Sequence, residues 1–129
     1  MPAYRISEAS ELLGVSDDTV RRWIDGGKLP TVDGDGPIQV PGAELAAFAL
    51  ALADQPDGER RTHSSARNQL RGLVTRVVTD TVMAQVELVC GPYRVVSLMS
   101  SEAAAELGLE PGVTAIASIK STNVVIEKP

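Results

Sequence analysis

The chain has 129 residues, of which 43% are hydrophobic and 3% aromatic, and its formal net charge is −5. This length predicts one domain or two small ones, and the apolar content excludes a disordered chain. The scarcity of aromatic side chains argues against a stacking surface for single-stranded nucleic acid, and the single cysteine excludes an internal disulfide or a multi-cysteine metal site.

The excess negative charge lies in the first part of the chain. Residues 1–55 hold four basic and nine acidic side chains, whereas residues 65–129 hold six of each. Because non-specific affinity for DNA comes from neutralising phosphates with cations, this acidic part opposes such affinity. We expect no signal peptide at the start of the chain, and the apolar run 45–53 is too short to cross a bilayer. These observations predict a cytoplasmic protein with no membrane partner.

Three helices are predicted in the first 53 residues. Ser7 is expected to cap a helix over 8–13, and Ser16 to cap a second helix over 17–24. A third helix is expected over 42–52. Two short strands, over 28–32 and 38–40, are predicted between the second and third helices, joined by an Asp- and Gly-rich turn. The order helix, turn, helix, β-wing, helix predicts a winged helix-turn-helix.

The sequence of this part resembles the MerR/excisionase type of helix-turn-helix. The residues that carry this resemblance are 6–16 (ISEASELLGVS), 19–23 (TVRRW) and 27–30 (GKLP). In that family the second helix enters the major groove of DNA. The resemblance implies DNA contacts from Thr19, Arg21, Arg22 and Lys28. Arg21 and Arg22 are the leading candidates for base edges or phosphates.

The wing departs from that family, whose wings commonly carry arginines that grip the DNA backbone. Here the tip carries Asp33 and Asp35, which repel phosphate. One alternative is therefore that the helical module binds another protein instead of DNA. The other is that oligomerisation adds up weak DNA contacts from several copies.

A polar stretch over 54–64, with a proline and a glycine, is predicted to be a linker. Beyond it, five strands are predicted, over 70–79, 83–89, 93–99, 113–119 and 123–126. A helix over 102–107, capped by Ser100 or Ser101, is expected between the third and fourth of them. The expected fold class is α+β with two domains: a winged helix-turn-helix over 1–53, and an OB-like five-stranded β-barrel with one helix over 65–129.

Each end of the predicted barrel carries a cation beside a small hydroxyl. Ser65 and Arg67 open it, and Lys120 and Ser121 lie near its close. In a closed sheet the first and last strands can be neighbours, so the two pairs can meet at one pocket. Positive charge with several short donors suits a small tetrahedral oxyanion.

The second half of the chain also resembles the molybdate-binding Mop, or TOBE, family (the molbindins). The residues that carry this resemblance are 65–72 (SARNQLRG), 97–103 (SLMSSEA), 107–109 (LGL) and 119–124 (IKSTNV). It implies molybdate or tungstate as the ligand, held as an oxyanion and not as a bare metal cation. The implied binding residues are Ser65, Arg67, Ser97, Ser100, Lys120 and Ser121. Ser97 and Ser100 can equally be ordinary strand-end or helix-cap residues.

Modules of this family pair and then trimerise, so a lone module implies a homo-oligomer, from dimer to hexamer. Three hypotheses follow: a molybdate-responsive regulator that binds double-stranded DNA, a molybdate storage oligomer whose helical module mediates assembly, and a DNA-binding protein whose barrel only oligomerises. An enzyme is not expected, because the sequence offers no nucleophile with its base, no paired-carboxylate site and no phosphate-binding glycine loop.

Overall fold

The computed structural model describes residues 2–53 and 65–129. The chain divides into two compact units, Met1–Gln55 and Pro56–Pro129. The linker predicted over 54–64 lies outside the described residues. No helix in the part of the chain that the structure describes has the length and apolar character needed to cross a membrane.

The first unit is mainly helical, with one small antiparallel sheet. Its elements are β1 (Ala3–Arg5), α1 (Ile6–Leu13), α2 (Asp17–Asp25), β2 (Gln39–Pro41) and α3 (Gly42–Leu52). β1 pairs with β2, and Tyr4 lies opposite Val40. The three helices predicted from the sequence are confirmed, with α3 at the predicted bounds.

The cap predicted for the second helix is confirmed, whereas the cap predicted for the first is wrong. The side-chain oxygen of Ser16 accepts a hydrogen bond of 3.2 Å from the backbone N–H of Thr19 at the start of α2. Helix α1 begins earlier than Ser7, with Arg5 at its cap position. Glu8 causes this, because its Oε1 accepts a bond of 3.1 Å from the Arg5 backbone N–H.

A small apolar core holds these helices together. Its buried members are Ala9, Val20, Leu29, Val40 and Leu45. Trp23 packs against this core, and its ring centroid lies 4.8 Å from that of Phe48. The core therefore takes up the apolar stripe of α2 and leaves the opposite side of that helix exposed.

The predicted wing is not confirmed. Residues 28–32 form no strand, and the backbone contact to β2 is one hydrogen bond of 2.8 Å from the Val32 N–H to the Gln39 carbonyl. Pro30 has no N–H to donate to a ladder, which weakens this stretch as a strand. β2 pairs instead with β1, so the sheet joins the beginning of the unit to the segment before α3.

The second unit is a curled antiparallel sheet with one short helix. Its elements are β3 (Asn68–Thr79), β4 (Met83–Cys90), β5 (Tyr93–Ser100), α4 (Ser101–Glu106), β6 (Thr114–Ile119) and a 3₁₀ turn (Ser121–Asn123). The strand order is β5-β4-β3-β6. The first four predicted strands and the predicted helix are thus present, and Ser100 is the residue that caps α4.

The fifth predicted strand, over 123–126, is absent from the four-stranded sheet of residues 65–129, so the strand count is corrected to four. Within the 3₁₀ turn, the N–H groups of Asn123 and Val124 donate to the carbonyls of Lys120 and Ser121. Those two donors are consequently not free to start a new ladder. The apolar residues that follow are left in solvent.

The curled sheet encloses an apolar core on its inner face. The buried core residues are Val74, Ala84, Val86, Leu88, Cys90 and Ala104. Cys90 is therefore the small buried hydrophobe that its strand position predicts. A cavity of about 570 Å³ remains on the inner face between the two edge strands, β5 and β6. The sheet is curled but open along this seam.

Candidate functional site

The first and last strands of the second unit lie side by side. β3 and β6 pair antiparallel from Asn68 opposite Ile119 to Leu73 opposite Thr114. The side-chain amide of Asn68 adds a hydrogen bond of 3.2 Å to the Ile119 carbonyl oxygen. The start of β3 is thus joined to the end of β6 by both backbone and side-chain contacts.

The register of this pair bears on the two predicted cation-hydroxyl pairs. Arg67 immediately precedes Asn68, and Lys120 immediately follows Ile119. The pairing ends there, so Arg67 and Lys120 directly flank the last paired residues of the two strands, and Ser65 and Ser121 are close to them in sequence. All four of these residues are exposed in a single chain.

Two cations lie at this end of the sheet without an acidic partner in the part of the chain that the structure describes. Within residues 2–53 and 65–129, neither the Arg67 guanidinium nor the Lys120 ammonium forms an ion pair or a side-chain hydrogen bond. Two such cations close together repel each other in the absence of an anion. An anion placed between them gains two charge-assisted contacts without displacing a protein carboxylate.

The remaining two predicted oxyanion ligands are placed differently. Ser97 is half-buried on the inner face of β5 and lines the cavity together with Ser118 and Ile119. The hydroxyl of Ser100 accepts a hydrogen bond of 3.1 Å from the Ala103 N–H, which makes it the cap of α4.

Ser100 is also at the wrong end of the sheet for a site built from one chain. β5 runs parallel to β3, since both are antiparallel to β4, and Ser100 lies opposite Met83 at the far end of β5. One chain therefore does not bring Ser100 to the start of β3.

Sequence reasoning assigned no role to Asn68, although it lies within the motif that suggested the site. Its amide joins the ends of the two strands that the cations flank. The sequence feature that could have pointed to Asn68 is a carboxamide at the first position of a strand, directly after Arg67. The partner carbonyl is 51 positions away, so the contact was not visible in the sequence.

The predicted DNA-contacting residues lie on and after α2. Arg21 Nη1 lies 3.5 Å from Asp18 Oδ1, and Arg22 donates from Nη2 to Thr19 Oγ1 across 3.3 Å. Lys28 follows α2 and is exposed. The exposed ion pair of Arg21 contributes little to stability, so this arginine can exchange its partner for another, and Arg22 is held by an exposed hydrogen bond to a neutral hydroxyl.

A bare-cation site is not apparent in the residues described. Across 2–53 and 65–129, no three His, Cys, Asp or Glu side chains cluster closely enough to hold a metal ion. Glu87 is 6% exposed on the outer face of the sheet, and its carboxylate is paired with the Arg94 guanidinium. The hydrogen bond from Arg94 holds the pKa of Glu87 below its ordinary value, against the opposing effect of burial.

Comparison with known proteins divides the chain in the same way as its fold. A model of the TOBE domain matches residues 64–126, and a model of a helix-turn-helix domain matches residues 3–52. Molybdenum-pterin-binding protein 3 of Clostridium pasteurianum is 43% identical over 63 residues, which are 48% of this chain and 93% of that protein. This chain belongs to the TOBE family.

Two further relatives of this TOBE protein bear on its second unit. The structure of a molybdate-binding protein from Sporomusa ovata, 30% identical, matches with a TM-score of 0.50 over 52% of this chain and all of that one. The molybdenum transport protein ModE of Herbaspirillum seropedicae is 41% identical over 64 residues, which are 49% of this chain but 24% of ModE. These relatives are named for binding and transport of molybdenum, and not for catalysis.

Proposed function

We propose that this TOBE protein binds molybdate or tungstate as a homo-oligomer, and that its helix-turn-helix unit binds double-stranded DNA in response. The observation that carries the proposal is the β3–β6 register, which pairs Asn68 with Ile119 and so supports Arg67 and Lys120 as partners in one site. The proposed oxyanion ligands are Ser65, Arg67, Ser97, Lys120 and Ser121, with Ser100 contributed by another copy.

The chemistry of these residues suits a tetrahedral dianion. Guanidinium, ammonium and hydroxyl groups donate to oxyanion oxygens without a covalent bond to the metal. Molybdate needs no thiolate or imidazole for this kind of binding. Selection against smaller oxyanions such as sulfate would then come from the size of the enclosed pocket and from complete hydrogen bonding of its oxygens.

Three features support an oligomer. The proposed ligands on one chain are exposed, so a second chain is needed to exclude water from the anion. Val125 and Ile126 follow the 3₁₀ turn and are 81% and 86% exposed, although both are strongly apolar. The seam between β5 and β6 is open over an apolar cavity. Exposed apolar residues and an open apolar seam are each typical of an interface between subunits.

Regulation follows if the anion binds at such an interface. An anion that binds only the assembled form stabilises it by mass action, by a free energy that rises with the logarithm of the anion concentration above the Kd. DNA binding by α2 then depends on molybdate if the assembled form holds two helical units in a better arrangement for DNA. A cytoplasmic location, where both DNA and molybdate are present, is part of this proposal.

Native mass spectrometry and calorimetry of the full chain with molybdate, tungstate, sulfate and phosphate test the oxyanion site. We expect a defined number of molybdate or tungstate ions per oligomer and much weaker binding of the other two. Arg67→Gln and Lys120→Gln should each cost about 1–3 kcal/mol of affinity for molybdate, and Arg71→Gln serves as a control with the same charge change. Equal or absent binding of all four anions would refute the proposal.

Selection of genomic DNA fragments by the full chain, with and without molybdate, tests the regulatory part. An enriched sequence whose recovery depends on molybdate supports a regulator. Oxyanion binding without an enriched sequence would instead assign the protein to storage, with the helical unit used for assembly. If a sequence is enriched equally with and without molybdate, the protein would be a DNA-binding protein whose second unit only mediates oligomerisation.

A further inference from the structure

A groove in the first unit brings together two of its four cations. Residues 5–7 at the start of α1, Asp17 and Arg21 of α2, and residues 37–38 before β2 line a volume of about 340 Å³. Arg21 is one of the proposed DNA contacts. Arg5 lies outside the helix-turn-helix proper and has been given no function so far.

The Arg5 guanidinium is available for a ligand. Its backbone N–H is bonded to Glu8 Oε1, but over residues 2–53 and 65–129 its side chain has no ion pair and no hydrogen-bonding partner. Arg5 is exposed, so its guanidinium has not been desolvated by folding. Ser7, on the same wall of the groove, is also exposed.

The single carboxylate in the groove is engaged elsewhere. Asp17 Oδ1 lies 2.6 Å from Ser10 Oγ, which ties this carboxylate to α1. The described lining carries two guanidinium groups and one carboxylate, and Arg21 also forms an exposed ion pair of 3.5 Å with Asp18 outside the lining. Residues 2–53 carry four basic and eight acidic side chains, so this groove holds half of the cations of an acidic unit.

The position of the groove indicates its ligand. One wall of the protein groove is α2, the helix proposed to enter the major groove of DNA. The sugar-phosphate backbones of the two DNA strands border the major groove on either side. The acidic tip at Asp33 and Asp35 repels phosphate, so the usual wing contact is not open to this chain. In place of the wing, Arg5 and Arg21 supply the cations that can contact a DNA phosphate next to the major groove.

We propose that Arg5 is a DNA-backbone contact, and that the groove between Arg5 and Arg21 holds one phosphate beside the recognition helix. This inference rests on the proposed binding of double-stranded DNA and adds a residue and a surface to it. A phosphate contact positions the protein on the duplex and carries no base preference of its own. Arg5 therefore contributes to affinity for every sequence alike.

The test uses fluorescence anisotropy of the full chain with a labelled duplex from the enriched genomic pool, over a series of salt concentrations. Arg5→Gln should weaken binding by about three- to tenfold and lower the slope of log affinity against log salt by about 0.9, the contribution of one phosphate. Arg5→Lys, which keeps the charge, should restore the slope. Arg71→Gln makes the same change of net charge in the other unit and should leave both quantities unchanged.

Trp23, the single tryptophan and a neighbour of the first unit's core, reports whether Arg5→Gln leaves that unit folded. An unchanged affinity and slope in Arg5→Gln, with wild-type binding intact, would overturn this contact alone. An equal loss in Arg71→Gln would also overturn it, because the effect would then be one of overall charge. Wild-type protein that binds no duplex at all would overturn both the contact and the proposed DNA-binding function.

Discussion

The side-chain amide of Asn68 donates a hydrogen bond to the carbonyl oxygen of Ile119, across 3.2 Å and 51 positions of sequence. This bond joins the ends of the two strands, next to Arg67 and Lys120. It is part-buried, and it supplements the backbone pairing of the same two residues. Asn68 thus acts as a positioning residue for the proposed oxyanion site.

Replacing this amide should weaken the site without unfolding the unit. Asn68→Ala removes the donor, so the ends of β3 and β6 lose one tie and the cations lose part of their fixed geometry. We expect a loss of about 1 kcal/mol in molybdate affinity, measured by calorimetry. Gln39→Ala, which removes a carboxamide from the first unit, is the matched control. Unchanged affinity in Asn68→Ala would show that the amide has no part in the site.

The exposed apolar end of the chain should determine the size of the assembly. Val125→Ser with Ile126→Ser removes two side chains that water surrounds in the single chain. We expect this double variant to shift native mass spectra toward smaller species and to bind fewer molybdate ions. Val32→Ser with Ile38→Ser changes the same two residue types in the first unit, where they are 46% and 52% exposed, and should keep the wild-type mass. An unchanged mass in the first variant would remove these residues from the interface.

Gly72 should be intolerant of any side chain. A Cβ at this position would lie 2.6 Å from both Cys90 Sγ and the Val89 carbonyl oxygen. We expect Gly72→Ala to lower the free energy of unfolding of the second unit by about 1–3 kcal/mol, as judged by urea denaturation with circular dichroism. In a Cys90→Ala background the cost should be smaller, because one of the two close contacts is gone. If Gly72→Ala lowers the free energy of unfolding equally in both backgrounds, the contact with the Val89 carbonyl oxygen alone would account for the loss.

Acid should destabilise the second unit through Glu87. The hydrogen bond from Arg94 is the main cause of the lowered pKa of Glu87, so the folded state favours the ionised carboxylate. Its contribution is therefore complete above the ordinary value of 4.5 and is lost as the pH falls through the lowered pKa. Glu87→Gln should cost stability at neutral pH, and the difference from wild type should shrink in acid. A difference that is constant with pH would contradict this account.

The acidic tip should limit DNA affinity. Asp33→Asn with Asp35→Asn removes two negative charges from the loop before β2, which lowers the repulsion of DNA phosphates. We expect tighter binding of the enriched duplex in anisotropy titrations, with the largest gain at low salt. Glu102→Gln with Glu110→Gln makes the same charge change in the second unit and serves as the control. Equal gains in the two double variants would attribute the effect to net charge alone.

The sequence predicted the individual elements well where short-range chemistry decides them. Ser16 caps α2, as the sequence indicated, and Gly14, with a left-handed φ of +70°, follows the end of α1. Alternating and β-branched residues predicted β3 to β5 with small errors at their ends. The Ser7 cap was wrong because a competing carboxylate, Glu8, fixes the helix start at Arg5.

The sequence by itself thus determined the helices, the strands of the sheet, the acidic first unit and the motifs that identify the TOBE family, because spacing, capping and charge are local properties. Only the tertiary structure decided which segments pair. It places β1, and not residues 28–32, beside β2, and it leaves residues 123–126 outside the four-stranded sheet. It also sets Asn68 opposite Ile119 and Ser100 at the far end of the sheet. Strand pairing joins residues that are distant in sequence, and it depends on which segments compete for the same backbone donors and acceptors. No local sequence pattern contains that information.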